Sequence, residues 1–515
     1  MNIGDRGPSR ASGVLLHPTS LWGVGIGDLG NAAHEFVDWL ASAGQSYWQI
    51  LPLVPVDYGG SPYNGLSAMA GNPLLISPAL LEEVGLLGSG WEQDAPGGQA
   101  ERVDYGAVAA WKESLLRAAH HRFIRSGSTA LHQKFEAFRA IHHSWLPDYA
   151  LFMALREHHG GGSWAGWPEP LKRRDQEAIE RWATRLSEDL DRHAFGQFLF
   201  EEQWSRLRSY ANARGIRIVG DIPIFVAHDS ADVWAHPEIF QLDEQGSPTV
   251  VAGVPPDYFS ATGQRWGNPL YRWDTLATNG YGWWVDRFRR AFQLVDTARI
   301  DHFRGFEAYW EIDATEPTAV NGKWIPGPGA PFFRVIEQRL GRLPLIAEDL
   351  GLITAGVEQL RDELGYPGMR VLQFAFDGDP RNPHLPANYV QPSVAYTGTH
   401  DNDTILGWWS SAGWEERSRV LDLLGGREPD NWSFIEMIMS SRAGLTVVPL
   451  QDVLGFGREA RMNTPGEPAA NWAWRINGPP ADDAGRRLRA LTEATSRMSS
   501  TIDSPSPANE LEVGR

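Results

Sequence analysis

Short apolar runs separated by longer amphipathic stretches recur along this chain, and that alternation constrains its fold more than any other feature. Strand-length apolar runs joined by helix-length segments are the pattern of a parallel sheet with helical crossovers. Runs of this kind occupy 47–53 (YWQILPL), 73–77 (PLLIS), 216–222 (IRIVGDI) and 297–301 (TARID). Others occupy 344–349 (PLIAED), 370–376 (RVLQFAF), 393–400 (SVAYTGTH) and 446–450 (TVVPL). Several carry Val, Ile or Leu on both faces, as a strand needs when helices cover one side and a filled interior the other. Residues 281–294, 330–340 and 353–364 supply amphipathic helices between them. The eight runs predict an α/β fold, a (β/α)8 TIM barrel, whose chemistry collects at the C-terminal strand ends.

Two gaps are too long for simple crossovers. Residues 78–215 contain amphipathic segments at 107–125, 131–143, 148–158 and 174–213, which predict an inserted, mostly helical subdomain. Residues 223–280 are rich in Gly, Pro, Asp and aromatics with little periodicity, and predict a loop-rich insertion on the catalytic face. From residue 499 to 515 there is little to bury, the mark of a flexible tail.

Composition removes whole classes of function. The 515 residues include no cysteine, which excludes a disulfide framework, a thiolate nucleophile and Cys-ligated metal. With 46 basic and 64 acidic side chains the net charge is −18, against the basic stripe that a nucleic-acid partner needs. No apolar run approaches the ~18 residues of a membrane span. The opening residues lack the basic-then-apolar order of a signal peptide. A soluble, cytoplasmic protein is expected.

Some patterns mislead. Gly25-x-Gly27-x-x-Gly30 matches a dinucleotide fingerprint, but no β-branched strand leads into it, so a glycine-rich turn opening the first helix is expected. The pairs His120–His121, His142–His143 and His158–His159 point about 100° apart on a helix and share an ion poorly. No metal or cofactor is expected. Among the 23 tryptophans, the pairs Trp283–Trp284 and Trp408–Trp409 are not expected to face inward together.

Asp301, Glu348 and Asp401 each end a different predicted strand, at separations that put them on neighbouring or nearly neighbouring strands of a barrel, converging on one mouth. A lone Asp at a strand end is ordinarily an N-cap. Here each stands in a compact polar context: RIDHFRG, AEDLG and TGTHDN. Arg299 and Asp301 are two apart, so both point to one face of a strand, where a guanidinium favours the ionised carboxylate of a nucleophile. Glu348 would need burial and nearby negative charge to keep the proton of a general acid. An ionised carboxylate, a protonated carboxyl and a third acid suit cleavage of a glycosidic bond through an oxocarbenium-like transition state. A hard cation is the alternative use of such acids, but Arg299 and His400 over-supply positive charge for it.

With Ser61-Pro62-Tyr63, Gly71-Asn72-Pro73-Leu74, Gly220-Asp221-Ile222-Pro223, Thr262-Gly263-Gln264-Arg265-Trp266-Gly267-Asn268-Pro269, the three acidic motifs, Val448-Pro449-Leu450-Gln451-Asp452 and Asn471-Trp472-Ala473-Trp474-Arg475, the sequence resembles the 4-α-glucanotransferases, or amylomaltases. These form glycoside hydrolase family 77 of the α-amylase superfamily. Ala470 departs from the Gly usual before Asn-Trp. The resemblance implies a catalytic barrel over 13–482 with a lid-like segment at 250–270. It implies Asp301 as nucleophile, Glu348 as acid/base and Asp401 as stabiliser of a distorted donor sugar that Arg299 and His400 contact. Asp221 and His302 support the same pocket, Tyr63 stacks on the sugar, and Tyr258, Gln264, Trp266 and Asn471 join as substrate-binding positions. The implied reaction moves α-1,4-glucan segments from a donor to the 4-hydroxyl of an acceptor glucan or glucose. It is a retaining double displacement needing no cofactor. An α-glucan hydrolase on the same scaffold is the runner-up, and a non-catalytic glucan-binding protein a third reading.

Overall fold

Eight parallel strands close into a barrel in the computed structural model, which describes residues 10–57, 59–96, 101–256, 260–467 and 471–498. In chain order the strands are β1 (Ala11–Leu15), β2 (Tyr47–Gln49), β3 (Arg217–Pro223), β4 (Val250–Val254), β5 (Gln264–Pro269) and β6 (Thr297–Asp301). They continue with β7 (Ala308–Asp313), β8 (Gly322–Pro326), β9 (Leu345–Ala347), β10 (Gly368–Val371), β11 (Ser393–Tyr396) and β12 (Leu445–Pro449). The barrel runs β1-β12-β11-β10-β9-β6-β3-β2, and β5-β4-β7-β8 form a separate antiparallel sheet. The predicted tail at 499–515 and Tyr258 lie outside the described residues.

One predicted strand is replaced by another. Residues 73–77 are not a strand: Pro73–Leu75 form a 3-10 turn capped by the Asn72 side chain, which accepts from the Leu74 N–H. Pro73 has no N–H to give a ladder. The segment is held instead by two buried glutamines of the helix Ser187–Ala213. Gln197 exchanges amide bonds with the Gly71 backbone at 2.7 and 2.8 Å, and Gln203 does so with Ser77 at 2.7 and 3.1 Å. The eighth barrel strand is instead β1, between β12 and β2, whose Ala-Ser-Gly start carries no strand signal. The close approach of β2 demands the glycine, since a Cβ on Gly13 would lie 2.5 Å from the Tyr47 carbonyl oxygen.

Several predicted strands are shorter than their apolar runs. β10 gives way to a 3-10 turn at Leu372–Phe374, and β11 stops at Tyr396. Only Asp301 therefore terminates a strand; Glu348 is the first residue past β9, and Asp401 sits in the loop beyond β11.

Between β2 and β3 the chain passes through helices that include Tyr105–Ser126, Thr129–Ile141, Leu146–His158 and Ser187–Ala213. Within 223–280, β4 and β5 are true strands with a register shift between Val251 and Gly253, which hides their alternation. Gly30 does precede the first helix, Asn31–Ser42. Trp283 and Trp284, contrary to expectation, are both buried, because the helix Gly282–Leu294 is covered on two sides. Trp284 packs on Phe288 and Phe332, while Trp283 meets Phe240 and Tyr271. Among the described residues no helix is long and apolar enough to cross a membrane.

Candidate active site

Strand periodicity assembles the centre of the site. β3 and β6 pair with Asp221 beside Arg299, and Arg299 and Asp301 share a face of β6. The buried Arg299 guanidinium donates to Asp221 Oδ2 at 2.5 Å and to Asp301 Oδ1 at 2.8 Å. Tyr63 donates its hydroxyl to the same Asp221 oxygen at 2.7 Å. Burial raises the Asp221 carboxyl above the usual carboxylate range, and Arg299 opposes the rise. One guanidinium thus sets the separation of two acids and, through Asp221, anchors the loop that carries Tyr63.

Glu348 reaches this centre from β9, the barrel neighbour of β6 rather than a strand across the barrel. Both of its oxygens accept backbone N–H groups, Oε2 from His302 at 2.7 Å and Oε1 from Leu350 at 2.8 Å. Its carboxyl is pushed up to about 8 by burial, with the Asp301 charge adding to the rise while Arg299 and the two N–H bonds oppose it. A group so placed holds a proton at neutral pH and can give it away.

His302 turns the chain sharply where β6 ends, with a left-handed φ of 52°. Its ring is held well below the ordinary imidazole range, about 3, by burial with a smaller push from Arg304. Its Nε2 is buried with no hydrogen-bond partner among the described residues. Trp266 of β5 meets this ring edge-on at 4.9 Å and is itself 38% exposed, with its indole N–H on Gln264 Oε1 at 3.1 Å.

On the other side, His400 is buried and stacks on Tyr63, ring centres 5.0 Å apart and planes 13° from parallel. Its Nε2 lies 3.4 Å from Asp401 Oδ2, and burial lowers its basicity despite that neighbour. Asn463 donates to Asp401 Oδ1 at 2.6 Å and Arg461 to the Asp401 carbonyl at 2.7 Å.

Tyr63, Asp221, Arg299, Asp301, His302, Glu348, His400, Asp401, Gln264 and Trp266 are therefore linked through direct contacts or neighbouring ones. Asn471 stands apart in its bonding: its amide accepts from Thr464 N–H at 2.9 Å and donates to the Thr464 and Glu467 carbonyls at 3.2 and 2.8 Å. Sequence reasoning passed over Asn463 and Arg461, which carry no pattern, and Trp472, which was visible inside the NWAWR motif and lies against both Tyr63 and His400.

Known proteins of one family resemble this chain over nearly its whole length. A family model described as 4-alpha-glucanotransferase matches residues 16–481. The 4-alpha-glucanotransferase of Thermus thermophilus is 52% identical over 500 residues, covering 95% of this chain and 99% of that one. The chloroplastic/amyloplastic 4-alpha-glucanotransferase of Arabidopsis thaliana is 46% identical over 499 residues, covering 95% and 86%. Among solved structures, amylomaltase from Streptococcus agalactiae in complex with acarbose superposes with a TM-score of 0.92 at 37% identity, covering 95% of this chain and all of that one. With its closed eight-stranded barrel and a match over nearly its whole length, this chain belongs to the 4-α-glucanotransferase family, glycoside hydrolase family 77, enzymes that transfer glucan segments.

Proposed function

We propose that Asp301 is the nucleophile and Glu348 the acid/base of a retaining transfer of α-1,4-glucan segments to an acceptor 4-hydroxyl. In the first step the Asp301 carboxylate bonds to the anomeric carbon as the glycosidic C–O bond breaks, and Glu348 gives its proton to the departing oxygen. In the second, the ionised Glu348 takes the proton of the acceptor 4-hydroxyl as that oxygen displaces Asp301. Asp401 and His400 hold the hydroxyls of the distorted donor ring, Arg299 keeps Asp301 in place, and Tyr63 stacks on the sugar. The observation that carries this reading is the contrast between the acids: Asp301 sits on a guanidinium, while Glu348 is buried and its carboxyl is pushed up by that burial.

Transfer must outrun bulk water at ~55 M, so the acceptor has to be held in place and water kept out. Trp266 and Gln264, together with His302 beneath them, supply a flat apolar roof and hydrogen-bonding groups for that task. Tyr258 and Asn471 complete the substrate-binding positions of this reading. Residues 13–482 form the catalytic unit, and the helices within 78–215 and the strands within 223–280 are insertions that shape its mouth. Malto-oligosaccharides and longer α-1,4-glucans are the substrates in this reading, and the cytoplasm is its site of action. Maltotriose as sole substrate tests the reaction: glucose and longer oligomers appear while total reducing ends stay constant, and Asp301→Ala abolishes both. A steady rise in reducing ends would mark a hydrolase instead.

A further inference from the structure

Three rings meet at the edge of the site: Tyr63, His400 and Trp472. Tyr63 and His400 are stacked, and Trp472 lies against both, with ring centres 5.5 Å from Tyr63 and 5.8 Å from His400. The Trp472 side chain is only 7% exposed, yet its backbone has a left-handed φ of 64°. That conformation is strained for a non-glycine residue and persists only where its surroundings over-determine it. Glycine would adopt it freely, but this position carries the largest of side chains, so it is the indole that the site requires.

The surroundings that enforce it are identifiable. The Trp472 N–H donates to the Met462 carbonyl at 2.7 Å, and the Trp472 carbonyl accepts from the Tyr105 hydroxyl at 3.0 Å. On either side, Val103 N–H donates to Ala473 O at 2.8 Å and Arg475 N–H to Glu101 O at 3.0 Å, so 473–475 is strapped to the chain entering the helix Tyr105–Ser126. Tyr105 touches the Tyr63 loop as well. A Cβ added to Gly60, which has a φ of 71°, would lie 2.5 Å from a Tyr105 ring carbon. Burial pushes the Tyr105 phenol up to about 12, so it stays a donor over the working pH range.

We propose that Trp472, locked by Tyr105, is a positioning residue that fixes Tyr63 and His400 against the donor sugar. Through it the helical insertion between β2 and β3 governs chemistry at the barrel mouth. The proposal rests on the transferase reading above, because it assigns Tyr63 and His400 to the donor sugar. A ring that positions its neighbours acts on kcat; a ring that merely fills space acts on the amount of folded protein, and one that binds sugar itself acts on KM.

Steady-state transfer from maltotriose, with thermal melts on the same samples, distinguishes these for Trp472→Phe, Trp472→Gly and Tyr105→Phe. The expected result is a kcat lower by about tenfold in Trp472→Phe and about a hundredfold in Trp472→Gly, with KM within about threefold of wild type and the fully folded fraction unchanged at assay temperature. Tyr105→Phe, which removes one hydroxyl, should lower kcat in the same sense by about threefold. Should Trp472→Gly fail to fold, Trp472→Phe and Tyr105→Phe decide alone. Wild-type kcat in the folded variants, or a loss confined to KM, would overturn the positioning role. Wild-type enzyme that makes no longer oligomers would sink the transferase reading instead, before any variant is compared.

Discussion

The peptide N–H that follows Asp301, that of His302, donates to Glu348 Oε2 at 2.7 Å. One backbone link thus joins the residue carrying the first carboxylate to the second carboxyl itself. The left-handed φ of His302 sits in that link. For a retaining mechanism the two carboxyl groups need to stand ~5–5.5 Å apart, and a shared peptide is a stiffer ruler than two independent side-chain contacts.

Substitution at 302 should therefore separate by backbone tolerance. His302→Gly accepts the left-handed conformation, whereas a β-branched side chain at φ 52° is strained. His302→Val should lower kcat by about a hundredfold, and His302→Gly by no more than about tenfold, in a maltotriose cleavage assay. Equal losses would show that the ring, not the backbone, is what position 302 supplies.

The raised Glu348 carboxyl predicts where activity fails on the alkaline side. If Glu348 is the acid proposed above, the first step needs its proton, so kcat/KM should fall as pH rises through about 8, rather than near the ordinary value of 4.5. The same shift bears on stability: the folded state binds this proton more tightly than the unfolded chain does. The contribution of Glu348 is therefore complete below about 4.5 and is lost as pH rises through about 8. A pH–rate profile beside pH-dependent denaturation checks both. An alkaline limb near 4.5 would contradict the burial argument.

Trp266 of β5 meets His302 edge-on and is partly exposed. Trp266→Ala should raise the share of hydrolysis relative to transfer by about tenfold while total bond cleavage changes far less. Product analysis of maltotriose digests, with reducing ends counted, gives the ratio directly. Parallel losses of both activities would remove Trp266 from the partition.

A stability prediction lies at the opposite end of the barrel. Arg497, fully buried, donates to the carbonyls of Met439, Ala11, Ser441 and Gly444 at 2.7, 3.1, 3.1 and 3.4 Å. Arg10 reaches the Ser441 and Met439 carbonyls as well, at 2.6 and 3.0 Å. Arg497→Met takes a shared donor away from all four carbonyls at once and should cost about 2–4 kcal/mol in a denaturant titration. kcat on the folded enzyme should be unchanged, since the seam is remote from the acids.

What could be read from sequence depended on whether a residue's surroundings are local. The barrel was visible where Val, Ile and Leu cover both faces of a strand, as in β3 and β12. β1 escaped notice because it opens on Ala, Ser and Gly, which carry no strand signature, and close packing against Tyr47 requires the Gly. Residues 73–77 deceived because their apolar side chains answer to packing while their backbone answers to Gln197 and Gln203, far along the chain. The antiparallel sheet was hidden by short, Gly- and Pro-containing strands. At the site, the pairing of Arg299 with Asp301 follows from strand alternation. That Asn463 holds Asp401, or that Trp472 leans on His400, depends on loops that meet only in space.

The seam between β1 and β12 carries a cost during synthesis. β1 finds β2 almost at once, but its other edge has no partner until residues 445–449 leave the ribosome, and Arg497 follows later still. For most of translation the nascent chain therefore presents an open sheet edge, a surface that invites intermolecular pairing. The final closure is a step of very high contact order, which makes the last-made part of the chain the gatekeeper of the whole barrel.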